Sequence, residues 1–240
     1  MRTIDASGME FDALCELLRS FEGDAELEGC LGQRFIGAGM GARKLRIHGV
    51  PGNALGAYLN GAEIEVFGNA QDAVGDTMNA GTILVHGSIG DTAGYAMRGG
   101  KIYVRDDAGY RTGIHMKEYR EHVPVIVIGG RAGSFLGEYQ AGGVIVVLGL
   151  HTDGKPIVSN FPCTGMHGGK LFLRSLCEDV RFPEQVTARR ATPEDLREIE
   201  DVLKEYCALF SLRYEVVANA PFTVVTPDSA NPYTQMYVAN

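Results

Sequence analysis

The sequence predicts an all-β protein, a right-handed parallel β-helix of about seven coils with a capping N-terminal helix and a C-terminal helix plus an extended arm. Two observations indicate this fold class. A short glycine-containing motif recurs every nineteen residues, and alternating apolar residues typical of a strand precede each recurrence. Glycine, with 32 of 240 residues, is also nearly twice as frequent as in ordinary proteins, as a chain with many tight turns requires.

The recurring motif is Gly-x-x-(Met/Leu)-x-(Gly/Ala)-x, and its apolar residue sets the period. That residue recurs at intervals of nineteen residues over five coils, and then after 24 and 26 residues at Gln140 and Met166. Insertions near 110–122 and 150–161 lengthen the later coils, and such insertions often lie on a binding face. The structural repeat positions that the pattern predicts are Gly56, Gly75, Gly94, Gly137, Met40, Leu59, Met78, Met97, Met116 and Met166.

Each repeat unit opens as a strand and then bends three times before the next unit begins. The bends leave no room for a helix within nineteen residues. A leucine-rich repeat of similar length needs a denser leucine pattern and a helix or long turn on its outer side, so the pattern favours the β-helix. The inward-facing residues of the clearest strands are Leu45, Ile47, Ile64, Val66, Ile83 and Val85.

Stacking of the coils explains the residues that face outward. Lys44 and Arg46 become lateral neighbours of Glu63 and Glu65 in the next coil, and these opposite charges favour the register. Further along the stack the outer face is apolar, and either this chain's own helices or another subunit must cover it. The apolar positions are Phe67, Leu84 and Tyr103, with 125–128 and 144–148 apolar on both faces.

The chain divides into residues 1–24, 25–175 and 176–240. In the first part, Ser7 and Glu10 indicate a capping box for a helix that closes the open end of the first coil. The second part is the β-helix itself.

In the third part, Thr192 and Pro193 begin a helix, and we expect its apolar stripe to pack on the outer strands. Prolines and aromatic residues such as Phe222, Tyr233 and Tyr237 then indicate an extended arm over 216–240. This arm folds back on its own core or anchors the chain to a partner subunit.

Two patterns along the turns resemble ligand sites but are better explained by the repeat. Gly37 to Ala42 has the spacing of a dinucleotide-binding loop, yet a strand begins at Lys44 where that loop requires a helix. Asn53, Asp72 and Asp91 stack in successive coils and could hold a cation. We expect them instead to bond the backbone of their own turns, which is the commoner use of such residues.

The inserted loop carries His115, Glu118, Glu121 and His122, which could share a metal ion on a short helix. The His-Glu-x-x-His spacing of a zinc helix is missing, and we interpret the segment as a solvated charged loop.

Cys163, with His167 nearby, stands where other coils have glycine. It is either a reactive thiol or a buried cysteine in a wider coil, and we adopt the second interpretation. His48 and His86 occupy the same position two coils apart with Phe67 between them, which indicates a surface stack. The sequence has no Gly-x-Ser-x-Gly elbow. We therefore predict no catalytic, cofactor-binding or metal-binding residue in this chain.

The composition and charge of the chain argue against some cellular environments and some classes of partner. The formal net charge of −8 argues against nucleic acid and anionic membranes as partners. The longest apolar run, 144–150, is too short to span a membrane, and no leader pattern precedes the first helix, so we expect a cytoplasmic protein. Five cysteines without a Cys-x-x-Cys pair do not indicate a disulfide framework or a metal cluster.

Four stretches together resemble the GXGXG domain, the β-helical third domain of the glutamate synthase large subunit. They are Gly56-Ala-Tyr-Leu-Asn-Gly, Gly68-Asn-Ala-Gln-Asp-Ala-Val-Gly-Asp, Gly137-Glu-Tyr-Gln-Ala-Gly-Gly-Val-Ile-Val-Val-Leu-Gly and Thr164-Gly-Met-His-Gly-Gly. The resemblance covers about residues 27–174. It implies a scaffold without catalytic residues, packed between working domains.

The resemblance also implies partners. In that family an amidotransferase releases ammonia from glutamine, and a domain with FMN and an iron-sulfur cluster adds it reductively to 2-oxoglutarate. This sequence has neither domain, so it resembles the split form, in which the scaffold is a separate subunit. We expect a glutamine amidotransferase subunit and an FMN-binding synthase subunit as partners, with FMN and the cluster in those subunits, and homo-oligomers as a further option. The alternatives are a β-helical subunit of another redox complex, such as the third subunit of formylmethanofuran dehydrogenase, and an autonomous hydrolase or metal enzyme.

Overall fold

A computed structural model describes residues 1–230 and shows a parallel β-solenoid of about 8 turns with a few helices, which confirms the predicted fold class. The eleven strands belong to one sheet. The strands are β1 (Arg2–Asp5), β2 (Ala25–Leu31), β3 (Lys44–Val50), β4 (Asn60–Phe67), β5 (Ala80–Val85), β6 (Lys101–Val104), β7 (Val125–Ile128), β8 (Ala141–Val147), β9 (Gly168–Leu173), β10 (Val186–Arg190) and β11 (Thr223–Pro227). The helices are α1 (Phe11–Arg19), α2 (Pro193–Leu209) and α3 (Tyr214–Ala218).

Strands β1 to β9 lie side by side in chain order, and each pairs in parallel with the next. The nineteen-residue unit therefore returns the chain to the same place one strand further along. The predicted register is confirmed where Lys44 pairs with Glu63 and Arg46 with Glu65. Their side chains form ion pairs of 2.9 and 3.4 Å. The alternate side chains point inward and form the main core.

The N-terminal helix packs on the first coil as predicted, but it begins differently. Leu14 and Leu18 are buried in the main core. The capping box is wrong, because the Ser7 N–H donates to the Asp5 side chain and α1 begins only after Glu10, which makes no capping hydrogen bond. The four residues of β1 form an additional strand, which explains why the stack has about 8 turns rather than seven. A strand with one buried residue, Ile4, gives little periodic signal.

Helix α2 begins at the predicted position and covers the apolar outer face of the sheet. Thr192 and Asp195 form a reciprocal capping box at its start. Ile199, Leu203 and Tyr206 are buried against the outer residues of β5 to β9, which include Leu84, Tyr103, Val127, Val146 and Phe172. The chain's own helix, and not another subunit, therefore covers these strands.

The region predicted as an extended arm is structured in its described part. A short helix, α3, is followed by β11, which pairs antiparallel with both β9 and β10. Thr223 to Val225 are buried there, so this part of the chain folds back on its own core. The predicted arm residues Tyr233 and Tyr237 lie outside the described residues.

None of the three helices in residues 1–230 is long and apolar enough to cross a membrane. All five cysteines lie in this part of the chain, and each is buried and free.

Candidate interaction surface

The turn that carries the repeat motif has a positive φ at every second residue. In one coil these residues are Ala54 (63°), Gly56 (64°) and Tyr58 (57°). Their N–H groups alternate in direction. Those of Ala54 and Tyr58 donate to carbonyl oxygens of the next coil at 2.9 and 2.7 Å, and that of Gly56 donates to a carbonyl of the preceding coil at 2.8 Å. Hydrogen bonds to both neighbouring coils therefore offset the steric cost of the left-handed conformation.

The central residues of these turns stack into a series that we call the glycine column. Gly37 and Gly113 were not among the predicted repeat positions, although the nineteen-residue spacing from Gly56 and Gly94 leads to both. Their φ angles lie between 61° and 74°, as do those of the other members. The glycine column consists of Gly37, Gly56, Gly75, Gly94, Gly113, Gly137 and Cys163.

Glycine is required in this column by space as well as by backbone angle. A Cβ on Gly56 would lie 2.7 Å from Cδ1 of Ile83, and one on Gly94 would lie 2.4 Å from Cδ1 of Ile126. These isoleucines fill the interior beneath the turns. Of the flanking positive-φ residues in this coil, Tyr58 is 58% exposed, and the small Ala54 is buried. The motif therefore turns its small residue inward and its large residues toward solvent.

Two rows of rings lie along the outside of the glycine column, and we call them together the aromatic face. The first row consists of Tyr110, Phe135 and Phe161, and the second of Tyr95, His115 and Tyr139. Neighbouring ring centroids are 5.3 and 5.2 Å apart in the first row and 5.9 and 5.3 Å apart in the second. Phe161 is 62% exposed and Tyr95 is 41% exposed. Rings in contact along the stack thus remain open to solvent.

One ion pair lies within the first row. Nε of Arg111 is 2.7 Å from Oε2 of Glu138, whose side chain is only 8% exposed. The guanidinium group also lies over the rings of Tyr110 and Phe135, 4.9 and 5.5 Å from their centroids. A buried carboxylate needs such a partner, and the planar cation stacks favourably on the rings. The two opposite charges therefore balance each other at this point of the aromatic face.

The fold and the motif geometry agree with comparisons to known proteins. A family model described as the GXGXG motif matches residues 19–220. The chain belongs to the GXGXG motif family. This is the family that the sequence motifs indicated, and it relates the chain to a glutamate synthase-like domain. An uncharacterized protein of Methanocaldococcus jannaschii is 42% identical in an alignment of 219 positions, which covers 88% of this chain and 84% of the relative.

The apolar positions of the GXGXG repeat lie inside the stack. Leu59, Met78, Met97, Met116 and Met166 are buried in the main core, and Met40 is partly buried at its edge. In the coil between Met116 and Met166 the position is taken by Gln140, which is fully buried. Its Nε2 donates to the carbonyl oxygens of Gly142 and Gly143 at 3.2 and 3.0 Å. The amide thus replaces a methionine in one of the lengthened coils.

Cys163 shows why one coil of a GXGXG protein can dispense with glycine. Beneath Gly137 the isoleucine of the earlier coils is replaced in register by Leu171, and a Cβ there would be 3.7 Å from the nearest carbon. In the next coil the column position is occupied by Cys163, with φ 61°. Burial raises the pKa of its thiol to about 12, and Nδ1 of His167 lies 3.0 Å from the carbonyl oxygen of Gly165. The buried-cysteine interpretation therefore fits the structure, and a nucleophilic thiolate does not.

The stacked polar residues of the turns bond to the backbone, but not within their own turns. Oδ1 of Asn53 accepts from the N–H of Asp72 at 3.2 Å, and Oδ1 of Asp72 accepts from the N–H of Asp91 at 2.9 Å. Oδ1 of Asp91 in turn accepts from the N–H of Tyr110 at 2.8 Å. The prediction that these side chains bond within their own turns is wrong. Stacking in register brings the N–H at the equivalent position of the next coil within hydrogen-bonding distance.

The inserted loop does not gather its side chains around a metal position. His115 belongs to the second aromatic row, and Oε1 of Glu118 accepts from the N–H of Gly143 at 2.8 Å. Tyr119 and His122 exchange backbone hydrogen bonds of 3.1 and 3.0 Å across a tight turn. Over the described residues, the ligand atoms of 115–122 form no group of three that could share a metal ion.

The Gly37–Ala42 loop likewise takes its place in the repeat. Gly37 and Gly39 have the positive φ angles of the motif, and β3 follows rather than a helix. The helix N-terminus that a dinucleotide-binding loop requires for the pyrophosphate is therefore missing here.

The surface stack of His48, Phe67 and His86 is present as predicted, with centroid distances of 4.7 and 5.1 Å. The acidic side chains beside His48 were not predicted. Glu26, Glu28 and His48 are the one group within residues 1–230 whose three ligand atoms all lie within 4.8 Å of one another. The strand register is the signal that could have revealed this group. Glu26 pairs with Arg46, and His48 follows Arg46 by two residues, so Glu28 is expected near His48.

Proposed function

We propose that this GXGXG protein is a noncatalytic structural subunit of a split glutamate synthase in the cytoplasm, and that its aromatic face binds a partner subunit. The partners are a glutamine amidotransferase subunit and an FMN-binding synthase subunit with an iron-sulfur cluster. The reaction belongs to those partners, and this chain holds them in position.

The observation that carries the proposal is the contrast between the two long sides of the stack. From β5 to β9 the sheet side buries its apolar residues under α2, which belongs to the same chain. The side of the glycine column has no such cover in the described residues, and Phe161 and Tyr139 remain 62% and 36% exposed. Tyrosine and other aromatic residues are enriched in interfaces, and contiguous apolar surface on soluble proteins marks binding sites.

The structure and the relative agree with a role without chemistry of its own. The thiol of Cys163 is buried, and His115 of the aromatic face stacks within the repeat. The matched region makes up 84% of the Methanocaldococcus jannaschii relative, so the similarity extends over most of that protein. This supports a family branch in which the scaffold is a separate chain.

The test is purification of the chain at native abundance from its own cells under mild conditions, with mass spectrometry of its companions and a flavin spectrum. We expect a flavoprotein and an amidotransferase. Replacing Tyr139 and Phe161 by serine should remove them, because these rings are exposed and free to contact a partner. Val216→Ser, an exposed apolar position on α3 that is 52% exposed, is the matched control and should keep them.

Each outcome has a definite meaning. Companions retained by the double variant would contradict the aromatic face as the docking site. Companions of another redox complex, such as formylmethanofuran dehydrogenase, would contradict glutamate synthesis while keeping the scaffold role. Turnover by the purified chain alone would contradict the scaffold role itself.

A further inference from the structure

Three side chains of types that bind metals converge on the outer face of the sheet, where β2 meets β3. Nε2 of His48 lies 2.9 Å from Oε1 of Glu26 and 3.8 Å from Oε1 of Glu28. The two carboxylates come from one strand and the imidazole from its neighbour. They are half-exposed to exposed, so a dissolved ion can reach them.

A β-bulge contributes to this convergence. The pairing of β2 with β3 shifts by one residue between Leu27 and Cys30, so that Glu28 and Gly29 lie beside His48 alone. Gly29 has φ 67°, which the bulge requires. Bulges re-aim a side chain locally and are frequent at functional sites. Here the bulge adds a second carboxylate next to one imidazole.

The distances from Nε2 of His48 to the two carboxylate oxygens are close to those within a coordination shell. First-row metals bind imidazole nitrogen and carboxylate oxygen at about 2.0 to 2.2 Å, so neighbouring ligand atoms are about 3.0 to 3.6 Å apart. The distances of 2.9 and 3.8 Å from Nε2 of His48 lie close to that range. Small side-chain rotations at Glu26 and Glu28 would complete the geometry.

The imidazole is already oriented toward the carboxylates. Its ring stacks on Phe67 with centroids 4.7 Å apart and planes 9° from parallel. Arg46, which lies opposite Glu26 in the register of β2 and β3, forms an ion pair with Glu65 at 3.4 Å. Binding therefore needs no reorganisation of the ring, and a preorganised ligand loses less entropy.

We propose that Glu26, Glu28 and His48 form a surface site for a divalent first-row transition-metal ion such as Zn²⁺. Imidazole nitrogen favours these ions over Mg²⁺ and Ca²⁺, which prefer oxygen ligands alone. On binding, the lone pair of Nε2 of His48 and one oxygen of each carboxylate become the ligands, and any proton on Nε2 passes to solvent. Water fills the remaining coordination positions, which face outward.

The chain provides a matched control in His86. Its ring stacks on the other side of Phe67 at 5.1 Å, and its Nε2 lies 3.0 Å from Oε1 of Glu65. At this position only one histidine and one carboxylate therefore meet, and Glu65 is also paired with Arg46. The two positions share the stack on Phe67. His86 lacks the second carboxylate, and its ring also contacts Phe210 edge-on with 5.5 Å between centroids.

The experiment is titration of the full chain with Zn²⁺ by calorimetry, together with the absorption spectrum of the Co²⁺ form. We expect one saturable site in the wild type, a loss of affinity greater than about tenfold in Glu28→Gln and in His48→Gln, and no change in His86→Gln. Circular dichroism confirms that each variant is folded, and exposed Glu28 is the substitution least able to disturb folding.

Three results would overturn the proposal. They are the absence of saturable binding, wild-type affinity in Glu28→Gln and His48→Gln, and a thiolate-to-cobalt charge-transfer band, which would place the ion on a cysteine. Equal weakening in His86→Gln would also overturn it, because binding would then depend on the ring stack and not on the second carboxylate.

Discussion

The two long sides of the stack are built by the same repeat unit, yet they end in opposite surfaces. On the sheet side, Tyr103 and Phe172 are fully buried under α2. On the side of the glycine column, rings of similar size such as Tyr139 and Phe161 remain exposed. One side thus serves the stability of the chain, and the other is available for a partner. A repeat fold can separate these tasks because each coil presents both sides independently.

The largest expected effect separates the two sides directly. Tyr206→Ala should lower the free energy of unfolding by about 3 to 5 kcal/mol, because a large buried ring is lost and the hydrogen bond from its hydroxyl to the Val104 carbonyl (3.2 Å) disappears. Tyr139→Ala should cost less than about 1 kcal/mol, since that ring is partly exposed. Chemical denaturation followed by circular dichroism measures both.

Equal losses in Tyr206→Ala and Tyr139→Ala would contradict the division of tasks. They would mean that the aromatic face stabilises the chain as much as the covered sheet does. Partner binding, measured on the same two variants, should show the reverse order.

A second prediction concerns the glycine column, where two coils differ beneath the same backbone. Gly94→Ala should lower stability by about 2 to 4 kcal/mol, because the strain of a positive φ adds to a clash with Cδ1 of Ile126 at 2.4 Å. Gly137→Ala should cost little beyond the strain, about 1 to 2 kcal/mol. Its nearest carbon would be 3.7 Å away, and the one closer atom, Oε1 of Gln140 at 3.0 Å, accepts no hydrogen bond that a displacement of a few tenths of an ångström would break. Thermal unfolding of the pair gives the difference.

If Gly94→Ala and Gly137→Ala were equally destabilising, backbone strain alone would set the choice of glycine. The explanation of Cys163 by a relaxed interior would then be wrong.

The third prediction tests how the covering helix is attached. The bidentate pair with Arg189 (2.6 and 2.9 Å) and the N–H of Thr192 hold the pKa of Asp195 well below its usual range. A carboxylate whose pKa is lowered on folding adds stability above its unfolded pKa of about 3.9, and that stability is lost as the pH falls toward the folded value.

Asp195→Asn should therefore lower the free energy of unfolding by about 1 to 2 kcal/mol at neutral pH. Below about pH 4, the stability of this variant should fall less steeply with decreasing pH than that of the wild type. Asp201→Asn, at an exposed position of the same helix, removes one carboxylate without touching the cap and is the matched control. Unfolding midpoints measured from pH 2 to pH 7 (about the range of carboxylate titration) distinguish the two. An unchanged acid limb in Asp195→Asn would show that the capping carboxylate does not titrate with folding.

The periodic part of the fold could be predicted from the sequence, because the inward and outward residues repeat at fixed spacing. Thr192 could be placed at the start of α2 because its capping signal is local. Strand β1 could not be predicted, since one buried residue, Ile4, sets no period. The positive φ of Tyr58 and its equivalents could not be predicted either, because hydrogen bonds to neighbouring coils, not residue type, impose it.

The functional surface was only partly predictable for a similar reason. The sequence showed apolar outer strands that needed a cover, but contacts between residues as far apart as Val104 and Tyr206 decide that the chain's own α2 provides it. The rings of the aromatic face are irregularly spaced along the chain and come together only when coils of different length are stacked. The group at His48 depends on a bulge that no periodic pattern reveals.

The smallest expected effect concerns the charges that made the register recognisable. Lys44 and Glu63 form an ion pair of 2.9 Å, but both side chains are about 60% exposed. Water and salt screen such a pair, so Glu63→Gln should leave the unfolding midpoint unchanged within error at low and at high salt. Ile64→Ala, the next residue inward, should lower it strongly. A large drop of the unfolding midpoint in Glu63→Gln would mean that the outer charges hold the coils in register. The expected result means that the buried isoleucines hold them in register. Because these isoleucines fill the interior beneath the glycine column, only a residue without a Cβ fits above them.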